Sequence, residues 1–372
     1  MDPHEIYLPR RRNAVRLNFE DTNHHEEYFK KCSDQFLPYL NKNLSEKKDE
    51  IDFKKEFEGT LFRFPIRKET SELSDQVKPF QKLIYDEILE PFFKDMRLTL
   101  LFLRYIERIE VYEIINHKNK LIGSTFIDYE ASSSGLKQNR DEIRSRLNQC
   151  VDPTDRKMNS NAFNVNDLIN NFKMVIKTIV LDKSTGLMNE SIDKYIISNH
   201  IRLKSASKEL KELALKTATF PICGLAYKIN KNHNNYQNLN EKFKSMRYFC
   251  FLPLPETIEK TGLPFHLNGS FGLRDDRRDL RWLANDTMQD ESAKWNGVLI
   301  NEVLTYVLEQ FLNFARNLIE NNDSDLKLIE FYHLLPNLKS LSLNWKEKNL
   351  KSYLSRLKSN IFLLFIILIF IL

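Results

Sequence analysis

Glycine is scarce, with nine residues in 372, each standing alone in the sequence. A backbone that closely approaches phosphate needs glycine-bearing turns, yet neither Asp-x-Gly-x-Gly nor Gly-x-x-x-x-Gly-Lys-Ser/Thr occurs in the chain. No phosphate cradle can be assembled locally. Cysteine is equally thin: Cys32, Cys150, Cys223 and Cys250 lie far apart with no Cys-x-x-Cys pair, which excludes the usual zinc spacings and a disulfide framework and fits a reducing cytosol. Charge of one sign is also missing. Fifty-six Lys plus Arg face 51 Asp plus Glu, and the excess is spread along the chain, so nothing asks for nucleic acid. The one basic triplet, Arg10-Arg11-Arg12, reads as a solvated turn. The N-terminus lacks the basic region, apolar run and small-residue site of a secretory signal. The Asn-x-Ser/Thr triplets at Asn268 and Asn285 are therefore expected to be unmodified, and the location cytoplasmic.

What is present suffices for one large or two ordinary cores, at 42% hydrophobic and 29% charged residues. Residues 56–67 alternate apolar and polar side chains, a half-buried strand that Pro65 places at an edge or an end. Phe80, Ile84, Ile88, Phe92 and Phe93 recur at helical spacing, predicting a helix broken near Pro91; a second helix is expected over 97–106. Strands are expected at Ile109–Ile115 and Leu121–Tyr129, joined over His117-Lys118-Asn119-Lys120, and around Phe172 to Ile179. Helices follow at 138–147 and 204–215, and strands at Ile222–Ile229, Arg247–Leu254 and Leu263–Leu273. The Asn/Lys-rich stretch 230–242 reads as a solvated insertion. From Lys294 to Asn321 an apolar stripe, with Ile300, Val303, Val307, Phe311 and Ala315 among its members, predicts a long amphipathic helix. No repeat of ~20–50 residues is evident, so a solenoid is not expected. The fold class expected is α+β, a mixed sheet layered with helices.

Residues 361–372 are all apolar, but a dozen residues at ~1.5 Å rise cover only about 18 Å of a ~30 Å hydrocarbon core. The stretch reads either as a short tail anchor flanked by Lys351, Arg356 and Lys358, or as an abnormal chain end read past the coding boundary.

The residues that could carry chemistry are few. His24-His25-Glu26-Glu27 point in different directions on any regular backbone and have no third partner at useful spacing, so no metal is expected. His266 has no serine or cysteine nucleophile motif nearby and reads as hydrogen-bonded structure. Arg63 lies opposite Phe62 and Phe64 in its strand, a solvated position. Asn268 and Gly269 read as a tight turn or bulge, with Gly269 supplying a positive backbone angle. Trp282 and Trp295 read as packing. Arg277 and Arg278 can either pair with Asp275, Asp276 and Asp279 or reach a phosphate on a neighbouring domain.

Three ordered blocks carry a resemblance: Phe251-Leu252-Pro253-Leu254-Pro255; the run from Thr261-Gly262-Leu263-Pro264 through Asn268-Gly269-Ser270-Phe271-Gly272-Leu273; and Arg277-Arg278-Asp279-Leu280-Arg281-Trp282. With Asp2-Pro3-His4-Glu5, Gly59 to Arg67 including Arg63 and Pro65, and Trp295-Asn296, they are similar to the sacsin family over residues 1 to about 320. The resemblance implies a chaperone-middle-domain-like region that follows an ATPase domain related to the ninety-kilodalton heat-shock chaperone. It also implies chaperone-type activity. On that reading, residues 1–50 are the end of the ATPase domain and a linker, 51–345 the middle-like region, and 346–372 a basic segment with the apolar tail.

The expected partners are client proteins or other chaperones. ATP and magnesium would enter only with the missing ATPase domain, to which Arg277 or Arg278 would lend a phosphate contact by analogy. The alternatives are an ATP-dependent ATPase when part of a longer chain, and a tail-anchored membrane protein.

Overall fold

The computed structural model describes residues 5–6, 17–18, 82–115, 118–151, 158–182, 184–229, 246–255, 262–282, 290–323, 325–334 and 345. The strand expected at 56–67, with Gly59, Arg63 and Pro65, lies outside them, as do His24 to Glu27, the 230–242 insertion and the 361–372 tail. The chain divides into two compact units, residues 1–90 with 111–122, and residues 91–110 with 123–372. In the first, β1 (Glu5–Ile6) pairs antiparallel with β2 (Leu17–Asn18). A wide π-type helix runs from Lys82 to Leu89, and the Tyr85 hydroxyl donates to the Glu113 carboxylate.

In the second unit, α1 (Glu90–Thr99) is regular. The change from wide to ordinary turns falls beside Pro91, which has no N–H to give the ladder. The helix expected over 97–106 is not formed beyond Thr99. Leu100, Leu101 and Phe102 are consecutive and all buried, a demand that one helix face cannot meet, so the chain leaves the helix and lays all three on the sheet.

The sheet contains β3 (Arg108–Ile115), β4 (Lys118–Ile127), β5 (Leu168–Leu181), β6 (Met188–Ile201), β7 (Ile222–Ile229), β8 (Tyr248–Cys250), β9 (Leu252–Pro253) and β10 (His266–Gly269). Their order is β3-β4-β5-β6-β7-β10-β8-β9. The β8–β10 contact is parallel, whereas β4–β5, β5–β6, β6–β7, β7–β10 and β8–β9 are antiparallel, so the sheet is mixed. Strand β6 carries no sequence signal: apolar Tyr195, Ile196 and Ile197 are consecutive, and Asn, Ser, Asp and His stand on both sides of them. It is nevertheless a central strand, because β5 pairs along its full length and from Asp193 onward most side chains on both faces are buried. The strand expected at Leu263–Leu273 shrinks to His266–Gly269, and Leu273 instead bridges Leu280.

Helices cover the sheet. One face packs Ile196, Leu225, Tyr227 and Leu267 against Trp295, Ile300, Val303, Val307 and Phe311, all buried in one core. These last belong to the helical run formed by α4 (Glu291–Val298), a π-type stretch (Leu299–Leu304) and α5 (Thr305–Glu320). Each wholly buried large side chain contributes roughly 2 kcal/mol of transfer free energy. The other face packs Phe172, Met174, Tyr195, Ile197 and Phe249 against Leu100 to Phe102.

Caps follow the local chemistry. Ser207 closes the N-terminus of α3 (Lys208–Thr217) through the Leu210 N–H, and Asp290 closes α4 through the N–H groups of Ser292 and Ala293. Helix α2 (Leu136–Gln149) starts after Gly135, whose φ of 86° suits only glycine. After α5, the Lys173 and Lys194 ammonium groups, both on the sheet, hold Asp325, and Lys173 also holds Asp323 at 2.7 Å; α6 (Leu328–His333) follows. Among the described residues, no helix is long and apolar enough to cross a membrane.

Candidate functional site

Two surface features stand out, a basic turn and an open sheet edge. The turn spans Arg274 to Leu280 and is built from below. The Asn296 carboxamide accepts the Gly272 N–H at 2.7 Å and donates to the carbonyls of Gly272 (2.7 Å) and Arg281 (2.8 Å). Arg281 donates its Nε to the Leu273 carbonyl at 2.9 Å and its Nη1 to Asp290 at 3.1 Å, and its Nη2 pairs with Asp275. Burial opposes ionisation of Asp290, but the Ala293 cap and the Arg281 guanidinium outweigh it and hold the carboxyl below its ordinary range.

The acids around Arg277 and Arg278 are thus engaged elsewhere. Asp275 and Asp290 hold Arg281, Asp276 accepts the Arg278 backbone N–H at 3.0 Å, and Asp279 accepts the Leu280 N–H at 2.7 Å. Among the described residues, neither Arg277 nor Arg278 forms an ion pair, and both are exposed. Arg277 sits at φ 54°, left-handed backbone that costs a non-glycine residue about 1–2 kcal/mol.

Trp295 is wholly buried and donates its indole N–H to the Ser270 carbonyl at 2.7 Å. Trp282 is half-buried and meets Trp345 edge-on, with ring centres 6.5 Å apart. Gly262 has φ 69°, and Pro264 follows it in an irregular stretch. Asn268 and Gly269 are not a turn. Both are strand residues of β10, paired with Gly224 and Cys223, and Gly269 has no positive φ. What requires glycine there is the Phe271 ring, which a Cβ would meet at 2.7 Å. His266 accepts the Arg247 N–H at 3.2 Å, and burial holds its imidazole down at about 3.

The second feature had no sequence signal. Strand β6 pairs with β5 from Met188 onward, but β7 joins its other side only from Lys194, opposite Ile229. Residues 188–193 therefore present backbone hydrogen-bonding groups with no partner strand among the described residues. Apolar side chains crowd this edge: Leu187 is 66% exposed, Met188 42% and Ile192 41%. Met188 and Ile192 share one strand face.

The tip that carries them is ordered. Asp182 accepts from the Ser184 N–H (2.8 Å) and hydroxyl (2.6 Å), and Gly186 supplies a φ of 70°. The inner end of the edge is fixed by buried Asp193, held by Lys228 at 2.5 Å and Arg97 at 3.5 Å. Among the described residues, no three His, Cys, Asp or Glu side chains gather as metal ligands.

The model of the Sacsin domain family matches residues 1–126. Human sacsin is 28% identical over 353 residues, which is 93% of this chain and 7% of the relative, so the chain spans a small fraction of that protein's length. No solved structure matches.

Proposed function

We propose that the chain, a sacsin-like protein along nearly all of its length, acts as a chaperone-type segment that binds extended client polypeptide at the 188–193 edge. One observation supports the reading: a strand edge with no partner among the described residues and exposed apolar side chains coincide on one hairpin. Such an edge is usually blunted in natural proteins by charge, proline or a covering element. Here an incoming strand would gain main-chain hydrogen bonds along the edge, and its alternate apolar side chains would meet Met188 and Ile192.

The test is suppression of aggregation of a thermally unfolding reporter enzyme, followed by light scattering. The chain should suppress scattering near one-to-one stoichiometry, and Met188→Lys plus Ile192→Lys should lose most of that effect while keeping the wild-type melting temperature. Equal suppression by both proteins would remove the edge from the reading.

A second reading rests on the basic turn. With Asp275, Asp276 and Asp279 engaged elsewhere, Arg277 and Arg278 are available for a charge-assisted contact to a phosphate held by another, cytoplasmic, nucleotide-binding domain. On this reading the chain binds no ATP of its own. Saturable binding of ATP to the purified chain at micromolar concentration would overturn it.

A further inference from the structure

On the sheet face opposite the long helical run, a half-open cavity of about 30 Å³ is lined by Leu101 to Arg104, Arg140, Asn199, Phe251 and Asn268 among others. Several of its side-chain donors lack an acceptor among the described residues. The Arg104 guanidinium lies 4.6 Å over the Phe251 ring and has no acceptor among the described residues. Arg140 is only 5% exposed; its Nη2 donates to the carbonyls of Arg104 and Ile106, but its Nε has no partner.

Asn268, 2% exposed, accepts the Phe251 N–H through Oδ1, which leaves its amide nitrogen free to donate. The nearby acid, Glu107, is spent on Arg144 at 2.9 Å and stands 4.0 Å from the Arg140 Nε. Asp141 is likewise held by Arg144, at 2.7 Å. Among the described residues, three guanidiniums thus meet two carboxylates, which leaves one positive charge uncompensated beside the cavity.

The geometry points to a binding site for a single carboxylate group, bridging the Arg104 guanidinium and the Asn268 amide with Arg140 beneath. A buried donor without an acceptor is costly, and a carboxylate offers the charge and the lone pairs that these donors lack. Size decides the class. A water-sized group needs about 10–15 Å³ of such space, so the cavity takes the two oxygens of a carboxylate but not the four of a phosphate. Phe251, at φ 64°, holds its ring under Arg104 and keeps the guanidinium at the mouth. The carboxylate could belong to a small metabolite or to the C-terminus of a peptide.

The probe is sodium acetate, titrated into ¹⁵N-labelled full chain and followed at the Arg Nε–H and the Phe251 and Asn268 amide signals. Chloride at matched ionic strength and inorganic phosphate run beside it. The site predicts saturable acetate shifts at these groups, none with chloride, and at least about tenfold weaker binding in Arg104→Gln. Asn268→Asp, which keeps the acceptor for the Phe251 N–H and removes the amide donor, serves as a second variant should Arg104→Gln fail to fold, with the same weakening expected. A tripeptide with a free C-terminus that binds where its amidated form does not would assign the carboxylate to peptide termini. Acetate binding without discrimination between those two peptides would assign it to small molecules. The absence of saturable acetate shifts, equal shifts in the variants, or tighter binding of phosphate than acetate would overturn the proposal.

Discussion

The Asn296 side chain and the Gly272 backbone exchange two hydrogen bonds of 2.7 Å each, so a helix residue acts as the pairing partner of an irregular strand. A third bond, to the Arg281 carbonyl at 2.8 Å, joins both ends of the basic turn to the helix that begins at Glu291.

Asn296→Ala is therefore expected to strand one N–H and two carbonyls and to cost about 2–4 kcal/mol of unfolding free energy, measured by urea titration. Asn296→Asp should do no better, because it turns a donor to two carbonyls into an acceptor. A loss under about 0.5 kcal/mol would show that water replaces the carboxamide.

Gly224 faces Asn199 across the β6–β7 ladder, and a Cβ there would lie 2.3 Å from Asn199 Oδ1 and 3.1 Å from the Phe102 ring. Gly224→Ala should destabilise the protein by about 1–3 kcal/mol through this overpacking. Adding Asn199→Ala should recover part of the loss, as a double-mutant cycle would show.

His200 is buried, with both ring nitrogens lacking a hydrogen-bond partner and Asp167 3.9 Å from Nε2. Burial holds its imidazole at about 4 against an ordinary 6.5. Between pH 6.5 and about 4 the unfolded chain carries this proton and the folded chain does not, so stability falls as pH drops through that window. Wild type should lose up to about 3 kcal/mol there from His200, and His200→Phe should lose correspondingly less over the same range. Parallel profiles for the two proteins in chemical denaturation would contradict this assignment.

Arg277 occupies left-handed backbone on an exposed turn. Arg277→Gly is expected to be neutral or stabilising by up to about 1 kcal/mol, and Arg277→Val to cost more than 1 kcal/mol. Thermal melts of the two variants would decide it, and equal melting temperatures would rule out the left-handed geometry.

Local chemistry made much of this fold legible. Ile222, Leu225, Tyr227 and Ile229 form an apolar run between a proline and an asparagine-rich stretch, and it is found as β7 with the expected ends. The helix expected at 204–215 starts four residues later, at Lys208, because Ser207, not Lys204, offers the capping oxygen. Strand β6 was invisible, since its apolar residues are consecutive rather than alternate and its polar ones are satisfied only by neighbours distant in sequence. Gly269 was recognised as constrained, but for the wrong cause: the constraint is the Phe271 ring, not a backbone angle.

The sequence by itself determined where caps begin helices and which stretches alternate into strands. Those features depend on neighbours within a few residues. The tertiary structure alone decided that Arg104, Arg140, Asn199 and Asn268 share one cavity, and that the described part of β7 ends opposite Lys194. Such groups come from separate elements, and only the register of the sheet brings their donors, or their missing partners, to one place.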